Sequence, residues 1–221
     1  MEICKDQTMI NESHLYYLEK IIDDINLNNI NGSIIECGVW KGGCCMWMML
    51  CQKKYNMNRE FYLYDTFDGM TFPASNKDHP YAKELYNKIQ SGEYKRDYDN
   101  WHGEKKWAYA PIDLVKNNIN KINYDTSKIK YVIGDINCTL DNIYPLSISI
   151  LRLDTDWYDS TKKELDVLFP LVSKNGYIIV DDYNAWKGAR DATDEFLINN
   201  KDKVTIIDSK YTGDIFVMKK N

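Results

Sequence analysis

Five short apolar runs recur along this sequence, and each stops on or beside an acidic residue. They are SIIECG at 33–38, FYLYD at 61–65, KIKYVIGD at 128–135, LSISILRLD at 146–154 and NGYIIVDDY at 175–183. Between them lie stretches with helical spacing. ESHLYYLEKIIDDINL places Leu15, Leu18, Ile21, Ile22 and Ile25 on one face, and CCMWMMLCQKKY, APIDLVKNNINKI and ARDATDEFLIN supply three more. Pro111 falls near the first turn of the third. Thr161 and Glu164 match a capping box opening a helix over TKKELDVLFPLV. Strand–helix alternation of this kind predicts an open, mainly parallel sheet with helices on both faces. KVTIIDS and GDIFVMKK, around the turn KYTG, are too close for a helical crossover and predict an antiparallel hairpin at one edge.

In open parallel sheets ligands bind at the carboxyl ends of the strands, so every acidic strand end faces one rim. IIECGVWKGG sets Glu36, Gly38, Gly42 and Gly43 between a strand and a helix, where backbone approaches a ligand closely. The spacing is not that of a dinucleotide fingerprint, and an acid before the glycine suits a positively charged cofactor better than a pyrophosphate. Asp65 stands where a carboxylate accepts both ribose hydroxyls of an adenosine-bearing ligand, with Gly134 and Asp135 on the adenine side.

Asp154 and Asp156 leave the fourth strand, and Asp181 and Asp182 leave the fifth. Neighbouring strands run about 4.8 Å apart, so four carboxylates crowd together and raise one another's pKa unless a cation neutralises them. Oxygen-only ligands favour a hard ion such as Mg²⁺. The adjacent pair Asp181 and Asp182 both point inward only if the strand has already turned. The structural alternative has Asp159 capping the next helix and one acid pairing with Arg152 or Lys187.

The chain has 221 residues, enough for one domain spanning 1–221 with a sizeable core. With 44% hydrophobic and 28% charged residues and a formal charge of -5, it shows no basic stripe. Nucleic acid and anionic membrane are therefore not expected partners. No run approaches the ~20 apolar residues of a membrane span, and the start lacks the pattern of a signal peptide. Six cysteines without a CxxC pair are expected to be buried thiols of a reducing cytoplasm.

IIECGVWKGG, YDTFDGM, LRLDTDWYDST and GYIIVDDY, in that order, resemble the macrocin O-methyltransferase family. The resemblance runs from about Gly32 to Asp194. It implies a class I methyltransferase (Rossmann-like) α/β fold, a seven-stranded mainly parallel sheet with an antiparallel C-terminal hairpin. It implies S-adenosylmethionine and Mg²⁺ as cofactors, a sugar or glycan hydroxyl as acceptor, and a homodimer. By the same resemblance Asp154, Asp181 and Asp182 hold the metal and Asp156 is the base. Glu36, Gly38, Asp65 and Asp135, with Ile136 beside it, line the cofactor pocket. The sequence departs from the family pattern at Cys37, Lys41 and Thr155. It departs again after the third strand, where Gly134-Asp135-Ile136 and Cys138-Thr139-Leu140 replace Gly-Trp-Phe and Asp-Thr-Leu.

The expected chemistry is in-line methyl transfer to a hydroxyl whose proton passes to Asp156. A mixed-charge insertion from Gly69 to Tyr109 carries Trp101, His102 and Trp107 and reads as a lid over the acceptor. The alternative for it is an oligomer contact or a loop packed on the core. Three competing functions remain: a catechol-type methyltransferase, a phosphoester hydrolase using the aspartates, and a silent binding module on the same fold.

Overall fold

The structure, a computed structural model, describes residues 1–94, 104–141, 144–207 and 215–221. Trp101, His102 and the KYTG turn lie outside the described residues. Seven strands form one sheet: β1 Ser33–Cys37, β2 Phe61–Asp65, β3 Ile129–Ile133, β4 Ile148–Leu153, β5 Val172–Val180, β6 Val204–Ile207 and β7 Phe216–Lys220. Their order is β3-β2-β1-β4-β5-β7-β6. Strands β1 to β5 pair in parallel, and β7 runs antiparallel between β5 and the edge strand β6. The expected sheet, including its C-terminal hairpin, is present.

Side chains alternate between the two faces at the strand period of two. Ile34, Ile150 and Ile179 join one core with the helices α2 Glu12–Leu27, α3 Gly43–Lys54 and α5 Ile112–Asn120. Ile35, Leu151 and Ile178 join the other with α7 Tyr158–Leu168 and α8 Lys187–Asn200. Every residue of β1 and β4 is buried, which places these two strands at the centre of the domain. The short helices α1 Glu2–Lys5 and α6 Ile136–Thr139 complete the frame, and Cys138 sits exposed on α6. The other five cysteines are buried free thiols.

Two local expectations are corrected. Helix α7 starts at Tyr158, with Trp157 at its N-cap, so Thr161 and Glu164 form no capping box and Asp159 lies in the first turn rather than at the cap. The cap comes from far away in sequence: Tyr158 N donates to Asp78 Oδ1 at 2.9 Å. The mixed-charge insertion contains the helix α4 Pro80–Ser91. His79 caps α4 by accepting from Tyr81 N, Pro80 stands at its first position, and Gly92 ends it in a left-handed conformation.

Ala82, Leu85 and Ile89 of α4 bury themselves against Trp107 and Trp157 in a core separate from the two flanking the sheet. Trp107, Trp157 and Trp186 meet edge to face, with ring centroids 5.3–5.8 Å apart. The two ends of the insertion are pinned together where Met70 N donates to Trp107 O at 2.9 Å. Because this small core closes on itself, Leu85→Ala should speed amide hydrogen exchange across 80–91 by at least tenfold, since leucine truncation in a core costs about 2–5 kcal/mol. Exchange in β1 and β4 should stay unchanged.

Candidate active site

The rim of the sheet is organised around one guanidinium. Arg152 is an inward-facing residue of the buried strand β4 and is only 1% exposed. Its Nη1 donates to Glu36 Oε1 at 2.6 Å and to Asp154 Oδ2 at 2.7 Å, and its Nη2 forms an ion pair with Asp181 Oδ1 at 2.7 Å. Glu36 also accepts from the Cys45 thiol. Burial pushes the Glu36 carboxyl up to about 7, against the pull of Arg152. Part of the positive charge that the acid cluster demands is thus covalently present in the chain.

Close approach of β1 to β4 makes Gly38 obligatory. Its φ is +83°, and a Cβ there would lie 1.8 Å from the carbonyl oxygen of Asp154. Beyond Gly38 the chain wraps over Asp65 at the end of β2. Asp65 Oδ2 accepts from Val39 N at 2.7 Å and Trp40 N at 3.0 Å, and Oδ1 accepts from Phe67 N at 2.7 Å. Asp135 Oδ1 likewise accepts from Asn137 N at 2.9 Å and caps α6. Both carboxylates are held in fixed rotamers by backbone donors; Asp65 Oδ1 also accepts from Thr66 Oγ1 at 3.4 Å, which fills its four acceptor positions, whereas Asp135 keeps Oδ2 for a ligand.

The acids beyond Arg152 group differently from the expected set. Strand β5 ends at Val180 and residues 181–185 form turns, so the break that the adjacent aspartates require is present. Asp181 turns to Arg152. Asp154, Asp156 and Asp182 each bring one carboxylate oxygen within 4.8 Å of the others. Asp156 has φ +67° and is the middle residue of a tight turn closed by Trp157 N donating to Thr155 O at 2.7 Å. Positive φ at a non-glycine residue costs about 1–3 kcal/mol and collects at functional sites. Burial, with the charges of Asp156 and Asp154, raises Asp182 well above the ordinary carboxylate range. Its Oδ2 is buried with no hydrogen-bond partner among the described residues.

Two cavities flank this cluster. One, enclosing about 700 Å³, is lined by Gly38, Asp65, Gly134, Asp135 and Ile136, together with Tyr64 and Thr66. The second, about 1080 Å³, is lined by Glu36, Arg152, Asp181 and Asp182 and by the N-terminal segment from Gln7 to Asn11. Asp154 and Asp156 belong to both walls, as do Met9, Trp40, Met70 and Ala108. Of the five residues expected around a cofactor, four meet in the first cavity and Glu36 faces the second. His14, Met9 and Trp186 also line these walls. Nothing in their sequence context marks them, because their helix and loops reach the rim only through tertiary packing.

A seven-stranded sheet in this order is the class I methyltransferase fold. The chain belongs to the macrocin O-methyltransferase (TylF) family, whose model matches residues 5–216. It is 27% identical over 198 residues to demethyldecarbamoylnovobiocin O-methyltransferase of Streptomyces niveus, covering 86% of this chain and 67% of that one. It is 26% identical over 180 residues to mycinamicin III 3''-O-methyltransferase of Micromonospora griseorubida, covering 80% and 65%. The chain therefore spans about two thirds of the length of these curated relatives. Among solved structures, the O-methyltransferase NovP superposes with a TM-score of 0.81 at 23% identity, over 97% of this chain and 82% of that one. No helix among the described residues is long and apolar enough to cross a membrane.

Removing Arg152 would leave Glu36, Asp154 and Asp181 without their counter-charge. Arg152→Leu should cost about 3–5 kcal/mol, read from the urea midpoint. Glu36 supplies a pH signature. Its folded pKa of about 7 lies above the ordinary 4.5, so the stability it lends is complete below 4.5 and lost as pH rises through about 7. Between about pH 5 and 8 the melting temperature of the wild type should fall relative to that of Glu36→Gln.

Proposed function

We propose that the protein transfers a methyl group from S-adenosylmethionine to a hydroxyl of a sugar or glycan, with a divalent cation such as Mg²⁺ held by Asp154, Asp181 and Asp182 and with Asp156 beside it as the base. The observation that carries this reading is the shared wall: two cavities of different character meet at Asp154 and Asp156. The sugar is supported by the relatives' names, which include a rhamnosyl-tetracenomycin 4'-O-methyltransferase of Streptomyces olivaceus. The cation is supported by the crowding of Asp154 and Asp182 with Asp156 within 4.8 Å, by Asp181 in the same cavity wall and by the orphaned buried Asp182 Oδ2, an all-oxygen surrounding suited to a hard ion.

When bound, S-adenosylmethionine supplies the methyl group on a positively charged sulfur, and the cation supplies Lewis-acid polarisation of the acceptor oxygen. The chain supplies position and a base. Gly38, Asp65, Asp135 and Ile136 line the cofactor cavity; Asp135 keeps acceptor lone pairs for the nucleoside, and Asp65 takes a ribose hydroxyl by giving up its long bond from Thr66. Arg152 holds Asp154 in the wall between the cavities. Asp156 accepts the proton of the acceptor hydroxyl as the oxygen–carbon bond forms and the carbon–sulfur pair stays on sulfur. Met70 and Ala108 line both cavities and Trp107 the second, which supports a role for the insertion as a lid that limits water. Free cysteines support a reducing cytoplasm, and a homodimer follows the family expectation, to be read by sedimentation.

Calorimetric titration of S-adenosylmethionine, with Mg²⁺ and then with chelator, tests the division of labour. Binding should persist in chelator while methyl transfer stops. Absence of binding in both conditions would favour the hydrolase, and preference for catechols over sugars in an acceptor panel would favour the catechol-type enzyme. Asp156→Asn should lower kcat by about 10²–10⁴-fold and leave the S-adenosylmethionine Kd within about twofold. Equal loss of both would remove Asp156 from the role of base.

A further inference from the structure

Glu164 is the one fully buried carboxyl of α7, at 0% exposure, and nothing in the reaction above uses it. It lies on the same helical face as Leu165 and Leu168, where an apolar side chain would be expected. Its Oε1 accepts from Thr155 Oγ1 at 2.9 Å, and its Oε2 is buried without a hydrogen-bond partner among the described residues. Burial holds its pKa well above the ordinary carboxylate range, with Thr155 pulling the other way and Asp154 and Asp156 pushing it further up. A buried polar atom left unpaired is costly to keep, so the packing of α7 does not explain this residue.

Its single partner explains it. Thr155 separates the two aspartates of the wall, and the strained turn at Asp156 rests on it from both sides. The Thr155 carbonyl accepts from Trp157 N at 2.7 Å and from Ser160 Oγ at 3.3 Å, and the Thr155 hydroxyl reaches into the core to Glu164. Anchoring the side chain between Asp154 and Asp156 fixes the angle at which β4 leaves the sheet, and with it the separation of the two carboxylates.

We propose that the Thr155–Glu164 hydrogen bond is a positioning element that sets Asp154 in the geometry needed to hold a divalent cation, with Asp156 fixed beside it. The inference rests on the cation reading given above. Partners behind a ligand set commonly change metal affinity by about 10–100-fold when removed.

The test uses Mn²⁺ alone, titrated into the full chain and followed by electron paramagnetic resonance, with circular dichroism melts and S-adenosylmethionine calorimetry as controls. Thr155→Val keeps the shape of the side chain and deletes the donor. It should weaken Mn²⁺ binding by about tenfold or more while S-adenosylmethionine affinity stays within about twofold. Glu164→Leu should do the same, and Glu164→Gln, which retains an acceptor oxygen, should keep most of the wild-type Mn²⁺ affinity. A residue serving only the packing of α7 would shift the melting temperature in Glu164→Leu and leave Mn²⁺ affinity alone. Unchanged Mn²⁺ affinity in Thr155→Val would overturn the positioning role while the cation reading stands. No Mn²⁺ binding by the wild type would overturn both.

Discussion

Everything at the rim depends on a buried arginine answering three carboxylates. A guanidinium is always charged and offers donors in a rigid fork, which lets Arg152 hold Glu36 from β1, Asp154 from β4 and Asp181 from the turn after β5. These are three different segments of chain, and the one side chain ties their ends together. Desolvating so many charges opposes folding. The sheet tolerates them because the ion pairs sit at the ends of its two central strands, where hydrophobic layers on both faces supply the compensating burial.

That arrangement also divides the acids into two sets. Glu36, Asp154 and Asp181 pair with Arg152, whereas Asp156 and Asp182 crowd against Asp154 beyond its reach, and all five line the second cavity. A single Arg152 thus sets apart the acids that it answers directly from those that it does not. Asp154 joins the two sets.

Most of the fold was legible because its determinants are local. Apolar alternation gave the strands, helical spacing gave α2, α3, α5 and α8, and the short final connection gave the hairpin. The acidic strand ends gave the rim. Local signals failed where the partner was distant: α7 is capped by Asp78, eighty positions earlier, so the apparent capping box at Thr161 and Glu164 misplaced its start. Helix α4 had readable ends in His79, Pro80 and Gly92, but its mixed charges concealed an apolar face of only Ala82, Leu85 and Ile89. At the site, sequence could crowd four aspartates together but could not say which would turn to Arg152. That choice depends on where each strand ends and the chain turns, and Asp181 and Asp182 are adjacent with opposite outcomes.

Among the described residues the insertion packs its own small core on the three-tryptophan cluster, and it reaches the helices behind the sheet through Asp78, which caps α7, and Lys77, which pairs with Glu195 of α8. Such a segment has two kinds of position: the apolar face of α4 answers to its own core, whereas Asp78 answers to α7 and holds the start of the helix behind the acids. The fold therefore carries two bodies that can soften separately: a charge network clamped by the central strands, and a small aromatic core that stands or falls on its own packing.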